Sequence, residues 1–224
     1  MKTLKALIVP ALLSIFFVLT SATDASKENE RIVKSTTVFH DFTKMKESIP
    51  AELMKQSEGI IIIPGMINAG LAVGGKRGKG VAMVRLADGK WSNPVFVTLT
   101  GGSFGLQAGV QSVDLILVFK HKSVLTKAEN GDFTIGGDIS AAAGPVGRSS
   151  TASTDVKLNA EVYSYSRSKG LFAGLSVNGS NISIDKSANA NFYGNAASNS
   201  KVIFETSKSP STNVTELKGA VSMM

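Results

Sequence analysis

The stretch Gly59 to Gly80, GIIIIPGMINAGLAVGGKRGKG, decides how the rest of the chain is read. Ile60 to Ile63 are four consecutive branched apolar residues, which suits a strand buried on both faces. Pro64 then interrupts the run, because a proline has no N–H to give to a sheet ladder. Beyond it, Asn68 to Gly74 and Gly80 to Leu86 read as strands flanking a glycine turn, GGKRGKG, which crowds Lys76, Arg77 and Lys79 together. Gly70 to Lys76 also matches the phosphate-loop pattern GxxxxGK. Arg77 stands where the magnesium-binding hydroxyl belongs, and a strand follows where a helix must open towards the anion, so nucleotide binding is not expected.

Working outward towards the C-terminus, strand signals recur with turn chemistry between them. Asp88-Gly89 is a hairpin signal, and Trp91-Ser92-Asn93-Pro94 leads into a strand at Val95 to Leu99. Further strands are expected at Gly101 to Gly109, Val113 to Phe119, Phe133 to Ala143, Val156 to Ser168 and Leu171 to Ile184. Turns fall at Asn130-Gly131-Asp132 and Ser168-Lys169-Gly170, and a short helix at Ser123 to Glu129. Ala188 to Gly194 reads as a loop or short helix, Lys201 to Glu205 as an edge element, and Pro210 to about Val221 as a terminal helix.

Towards the N-terminus the pattern becomes helical. Ile32, Ser35/Thr36, Phe39, Phe42, Met45 and Ile49 recur at spacings of three and four, marking an amphipathic helix over 26–48 that either docks on its own domain or meets a membrane. Pro50 starts a second short helix through Ser57. Residues 1–25 have the layout of a secretory signal: Lys2 and Lys5, an apolar run from Ala6 to Leu19, then small residues. Cleavage is expected before Thr23 or before Ser26, with residues 49–224 forming the domain proper. The fold class is therefore α+β, a β-rich single domain of antiparallel strands and hairpins with N-terminal and C-terminal flanking helices.

Composition narrows the function. The 224 residues include no cysteine, which removes disulfides, thiolate metal sites and thiol nucleophiles. His40 falls in the expected N-terminal helix and His121 between Lys120 and Lys122, neither with a plausible catalytic partner nor an acidic pair for a metal, so no enzyme, metal site or cofactor is expected. Asp88, Asp114, Asp132, Asp138 and Asp155 sit mostly at turns or strand ends, where an aspartate usually caps its own backbone. Lys and Arg number 24 against 17 Asp and Glu, a net charge of +7 that favours anionic partners. Lys76, Arg77 and Lys79 share one stretch, and Arg167 and Lys169 share a face of another if it is extended. These turns either converge into an anion site or stand apart as solvated turns.

The ordered motifs Ile49-Pro50, Glu58-Gly59-Ile60, Gly74-Gly75, Gly78-x-Gly80, Arg85, Gly89-x-Trp91-Ser92-x-Pro94, Gly105-x-Gln107-x-Gly109 and Asp114 continue through Ala143-Gly144-Pro145-Val146-Gly147-Arg148, Tyr165 to Gly174 and Asn191-x-Tyr193-Gly194. Together they resemble the SYLF domain family, the lipid-binding module also described as the yeast actin-regulator type. The resemblance implies a β-rich domain with flanking helices, without enzymatic activity, that meets anionic lipid headgroups or a membrane surface. Its basic candidates here are Lys76, Arg77, Lys79, Arg148, Arg167 and Lys169. The export signal, with no SH3 or FYVE domain, looks like a bacterial secreted branch, periplasmic or secreted and peripheral at a membrane. Cytosolic actin and phosphoinositides then fit poorly, and no nucleic acid is expected. An envelope or secreted protein-interaction module is the alternative.

Overall fold

The isoleucine run opens a single 26-residue strand, β1 (Gly59–Val84), that continues through Pro64 and through GGKRGKG. A computed structural model describes residues 26–45, 48–127, 133–144, 160–172 and 175–224. The expected signal segment 1–25, the expected turn at Asn130 to Asp132 and Arg148 lie outside the described residues. The expected glycine turn is corrected to strand. Gly75 to Ala82 pair one for one with Val95 to Gly102 of β2 (Val95–Phe119), and none of Gly74, Gly75, Gly78 and Gly80 has the positive φ that a turn would need. The strands expected separately at Val95 to Leu99, Gly101 to Gly109 and Val113 to Phe119 are likewise one strand. Pro64 falls at a register shift between Ile63 and Met66, where its missing N–H costs no ladder bond.

The glycines of GGKRGKG serve close approach. β1 doubles back so that its two halves lie against each other, and the Arg85 N–H reaches the Glu58 carbonyl at 2.7 Å. A Cβ on Gly80 would run into the Ile62 carbonyl oxygen, and one on Gly78 would lie 2.5 Å from Ile63 Cγ2. Only hydrogen fits in either gap. β2, bonded along most of β1, folds over with it.

The remaining strands are β3 (Phe133–Ile135), β4 (Ala141–Ala143), β5 (Val162–Ser168), β6 (Leu171–Phe172) and β7 (Ser180–Ile184). The other edge of β2 takes β7 at Val97 to Gly101 and β5 at Asp114 to Phe119. β3 extends the sheet from β7, β6 turns back on β5, and β4 runs parallel to β5, a departure from all-antiparallel pairing.

The helices are α1 (26–44), α2 (Ala51–Gln56), α3 (Ser123–Lys127), α4 (Lys186–Tyr193), α5 (Ser200–Glu205) and α6 (Thr212–Ser222). α5 replaces the edge element expected at Lys201 to Glu205, because Asn199 caps its first turn and Ile203 and Phe204 fall on one buried face. Ile60, Ile62, Ile116 and Val118 pack under α1 and α6, meeting Ile32, Phe39, Phe42, Val214 and Leu217. Ile61, Ile63, Leu115 and Leu117 point the other way, towards Phe133, Ile135, Ile203 and Phe204. Burial on both faces is why the isoleucines need no polar alternation.

A buried corner holds the return of the hairpin. Ser92 Oγ accepts the Val84 N–H at 3.0 Å, and Asn93 Nδ2 donates to the Lys208 carbonyl at 2.9 Å. Arg85 lies 4.6 Å over the Trp91 ring while its guanidinium donates to the carbonyls of Met54 and Ser57, closing the C-terminal end of α2.

Gly80→Ala should therefore lower stability by about 1–3 kcal/mol through overpacking. Gly75→Ala, whose added methyl would lie 3.8 Å from the Gly101 carbonyl, should stay within about 0.5 kcal/mol of the parent in urea unfolding. Equal effects of the two substitutions would mean that the β1 contact is not tight.

Candidate functional site

Strand alternation sorts the basic residues of β1. Even-numbered positions from Gly74 to Val84 point towards the β3 and β7 side, and odd-numbered positions point to the face that carries α1. Lys76 is consequently interior, only 6% exposed, and its Nζ donates to the Ser176 carbonyl at 2.7 Å. Burial pushes its amine below the ordinary lysine range. Arg77 and Lys79 lie on the α1 face and are exposed.

Lys79 belongs to a cluster centred on Asp185. The Asp185 carboxylate accepts from Lys79 Nζ at 3.0 Å and Arg31 Nη1 at 3.3 Å, and its other oxygen caps α4 through the Ala188 N–H at 3.2 Å. Burial alone would raise this carboxyl, but the Lys79 hydrogen bond, the Ala188 amide and the charges of Lys79 and Arg31 hold it below its ordinary value. Arg31 also pairs with Glu28 at 3.0 Å and lies 5.2 Å over the Phe96 ring.

Arg167 anchors a second cluster. Its Nη2 donates to Asp41 at 2.7 Å and to Asp114 at 2.8 Å, and its Nε donates to Asp114 at 3.0 Å. Asp114 also takes the Gly65 N–H at 2.8 Å, and the guanidinium lies 5.6 Å from the Phe42 centroid. Burial would lower the Arg167 pKa, yet Asp41 and Asp114 together raise it.

Arg31 and Asp41 stand at opposite ends of α1, about 15 Å apart at 1.5 Å per residue. The two basic stretches thus do not converge on one point. They bracket α1 and clamp it to the sheet from either end. Lys169 stands apart and exposed on the β5–β6 turn, where it and Gly170 have φ of 51° and 78°. Of the six candidates, Lys76 and Arg167 are engaged inside the fold, Lys79 is shared with Asp185, and Arg77 and Lys169 face solvent without a carboxylate partner among the described residues.

Sequence reading missed two features. Asp185 was legible as a helix cap before Lys186-Ser187-Ala188, but its pairing with Arg31 spans 154 positions and leaves no local trace. Exposed Val73 fell inside an expected strand and Ile67 and Val110 inside no expected element, because nothing local says where α1 stops covering the sheet.

A shallow depression of about 240 Å³ is lined by Ala141 to Ala143, Ser164 and Leu175 to Asn178, with no ionisable side chain in its lining. Among the described residues no group of three or more His, Cys, Asp or Glu is placed to hold a metal, and no helix is long and apolar enough to cross a membrane.

An anchored helix laid across a folded-over β-ribbon, with part of the sheet face left open, makes up an α+β domain. The chain belongs to the Ysc84 (SYLF) family: the family model described as Las17-binding protein actin regulator matches residues 100–224. Protein YSC84 of Saccharomyces cerevisiae is 35% identical over 189 residues, 83% of this chain and 39% of its own length. SH3 domain-containing YSC84-like protein 1 of Xenopus laevis is 32% identical over 170 residues, 75% of this chain and 50% of its own. LAS seventeen-binding protein 3 of Saccharomyces cerevisiae is 39% identical over 149 residues, 65% and 32% of the two chains. The chain therefore spans between about a third and a half of the length of these relatives.

The depressed Asp185 carboxyl has a pH consequence. Its stabilisation is fully present above the unfolded value near 3.8 and is lost as pH falls through the lower folded value. Asp185→Asn should flatten that part of the acid unfolding curve and lower stability at neutral pH by about 1–3 kcal/mol, since Arg31 loses a partner and α4 keeps a weaker cap. Parallel acid titrations followed by circular dichroism provide the check.

Proposed function

We propose that this chain is an exported, non-enzymatic domain that binds anionic membrane surfaces. The observation that carries the reading is the exposure of Arg77 and Lys169 without carboxylate partners among the described residues, on a chain whose net charge of +7 includes Lys2 and Lys5 of the expected leader. Each such cation is worth about 1 kcal/mol near an acidic lipid surface. The basic and apolar layout of residues 1–25 supports export, and the family resemblance supports lipid rather than substrate chemistry. Arg148 joins the set as a candidate from the sequence alone.

A protein-interaction module of the envelope is the second reading. The name of one relative favours it, since LAS seventeen-binding protein 3 is named for what it binds.

Co-sedimentation of the processed chain with phosphatidylglycerol vesicles, at low and high salt, tests the first reading. Arg77→Gln and Lys169→Gln should each weaken binding about fivefold at low salt, whereas Lys76→Met should leave it unchanged. Equal binding to phosphatidylcholine vesicles, or indifference to both exposed substitutions, would sink the reading, and capture of one envelope protein in its place would establish the second.

A further inference from the structure

We propose that the folded-over end of the β1–β2 ribbon inserts into the bilayer, with Ile67, Val73 and Val110 entering the acyl boundary and Arg77 and Lys79 staying at headgroup level. This rests on the membrane reading above and names the surface that makes the contact. Val73 is 67% exposed, Val110 75% and Ile67 45%, against a sheet whose other large apolar side chains are mostly buried. All three share one face. Ile67 lies opposite Ser112 and Val110 opposite Ala69, which makes Ile67 and Val110 diagonal neighbours across the ribbon. Val73, Arg77 and Lys79 keep the same parity as Val81 and Met83, the residues of β1 that pack under α1. The strip is thus the α1-bearing face continued beyond the helix.

The chemistry of that strip selects a lipid surface. Val73 and Arg77 are about 13 Å apart along the strand, so an apolar end grades into a cationic one, as an interfacial element requires. The carboxylates on the same face are engaged, Asp114 by Arg167 and Asp185 by Arg31 and Lys79, which leaves Arg77 as the strip's cation without a carboxylate partner among the described residues. The amphipathic helix cannot supply the apolar contact while docked. Ile32, Val38, Phe39 and Phe42 of α1 are in the core. Leu171, 73% exposed beyond the β5–β6 turn, sits at the same end, where Ser168 Oγ donates to the Ser112 carbonyl at 3.2 Å.

The chain has no cysteine, so single-cysteine variants accept an environment-sensitive dye at one chosen site. The processed chain labelled at Val73→Cys, Val110→Cys or Ile67→Cys, mixed with phosphatidylglycerol vesicles, should show blue-shifted emission that nitroxide-bearing lipid quenches. Labels at Val33→Cys on α1 and Val202→Cys on α5, both exposed, should not shift. Val73→Asp and Val110→Asp should each lower vesicle partitioning about tenfold with the salt dependence retained, since one aliphatic side chain no longer leaves water. Unshifted ribbon labels on protein that still co-sediments would overturn insertion and leave surface binding standing. A shift at Val33 would assign the contact to the helix and equally overturn the proposal. Failure of every variant and the parent to co-sediment would bring down both readings.

Discussion

The structure depends on one backbone contact, the packing of β1 against itself. Where the second half of the strand crosses the first, Gly80 faces the Ile62 carbonyl and Gly78 faces Ile63, and no Cβ fits in either place. That contact brings Arg85 to Glu58, so the chain leaves the ribbon beside the point where it began. β2 is bonded to β1 through the fold-over and has to follow it, which sets where β5 and β7 can add. Two faces then need covering. α1 and α6 close one, while β3, β7 and α5 meet across the other.

Electrostatics acts on top of this frame rather than building it. Each end of α1 is fixed by a partly buried ion cluster, Arg31 with Asp185 and Glu28, and Asp41 with Arg167 and Asp114. Partners of this kind matter chiefly because removing one leaves another charge unpaired at low dielectric. They also decide which cations remain for external anions. A basic count of 24 overstates the charge available at any one surface, since Arg167, Arg31 and Lys76 are held internally.

The family assignment and the geometry bear on different questions. Motifs such as Gly78-x-Gly80, Arg85 and Trp91-Ser92-x-Pro94 turn out to hold the fold: a glycine crossing, a helix-end clamp and a buried corner. They identify the domain without marking where it binds. The strip beyond α1 combines exposed apolar and cationic side chains on one sheet face, which is the feature the proposed membrane contact rests on.

Period and composition by themselves determined a good part of this protein. The four isoleucines required a strand with both faces buried, the spacing of Ile32, Phe39 and Phe42 required an amphipathic helix, and Ser168-Lys169-Gly170 required a tight turn. These are local properties, set by side-chain branching, helical spacing and the φ that a residue tolerates. Tertiary structure decided why GGKRGKG is glycine-rich, because the same glycines serve a turn or a close crossing and only the crossing partner tells them apart. It also decided which basic residues are free. Lys76 and Arg77 are adjacent in sequence and opposite in fate, one inside against Ser176 and the other outside, because successive residues of a strand point to opposite faces and only the packed sheet shows which face is covered.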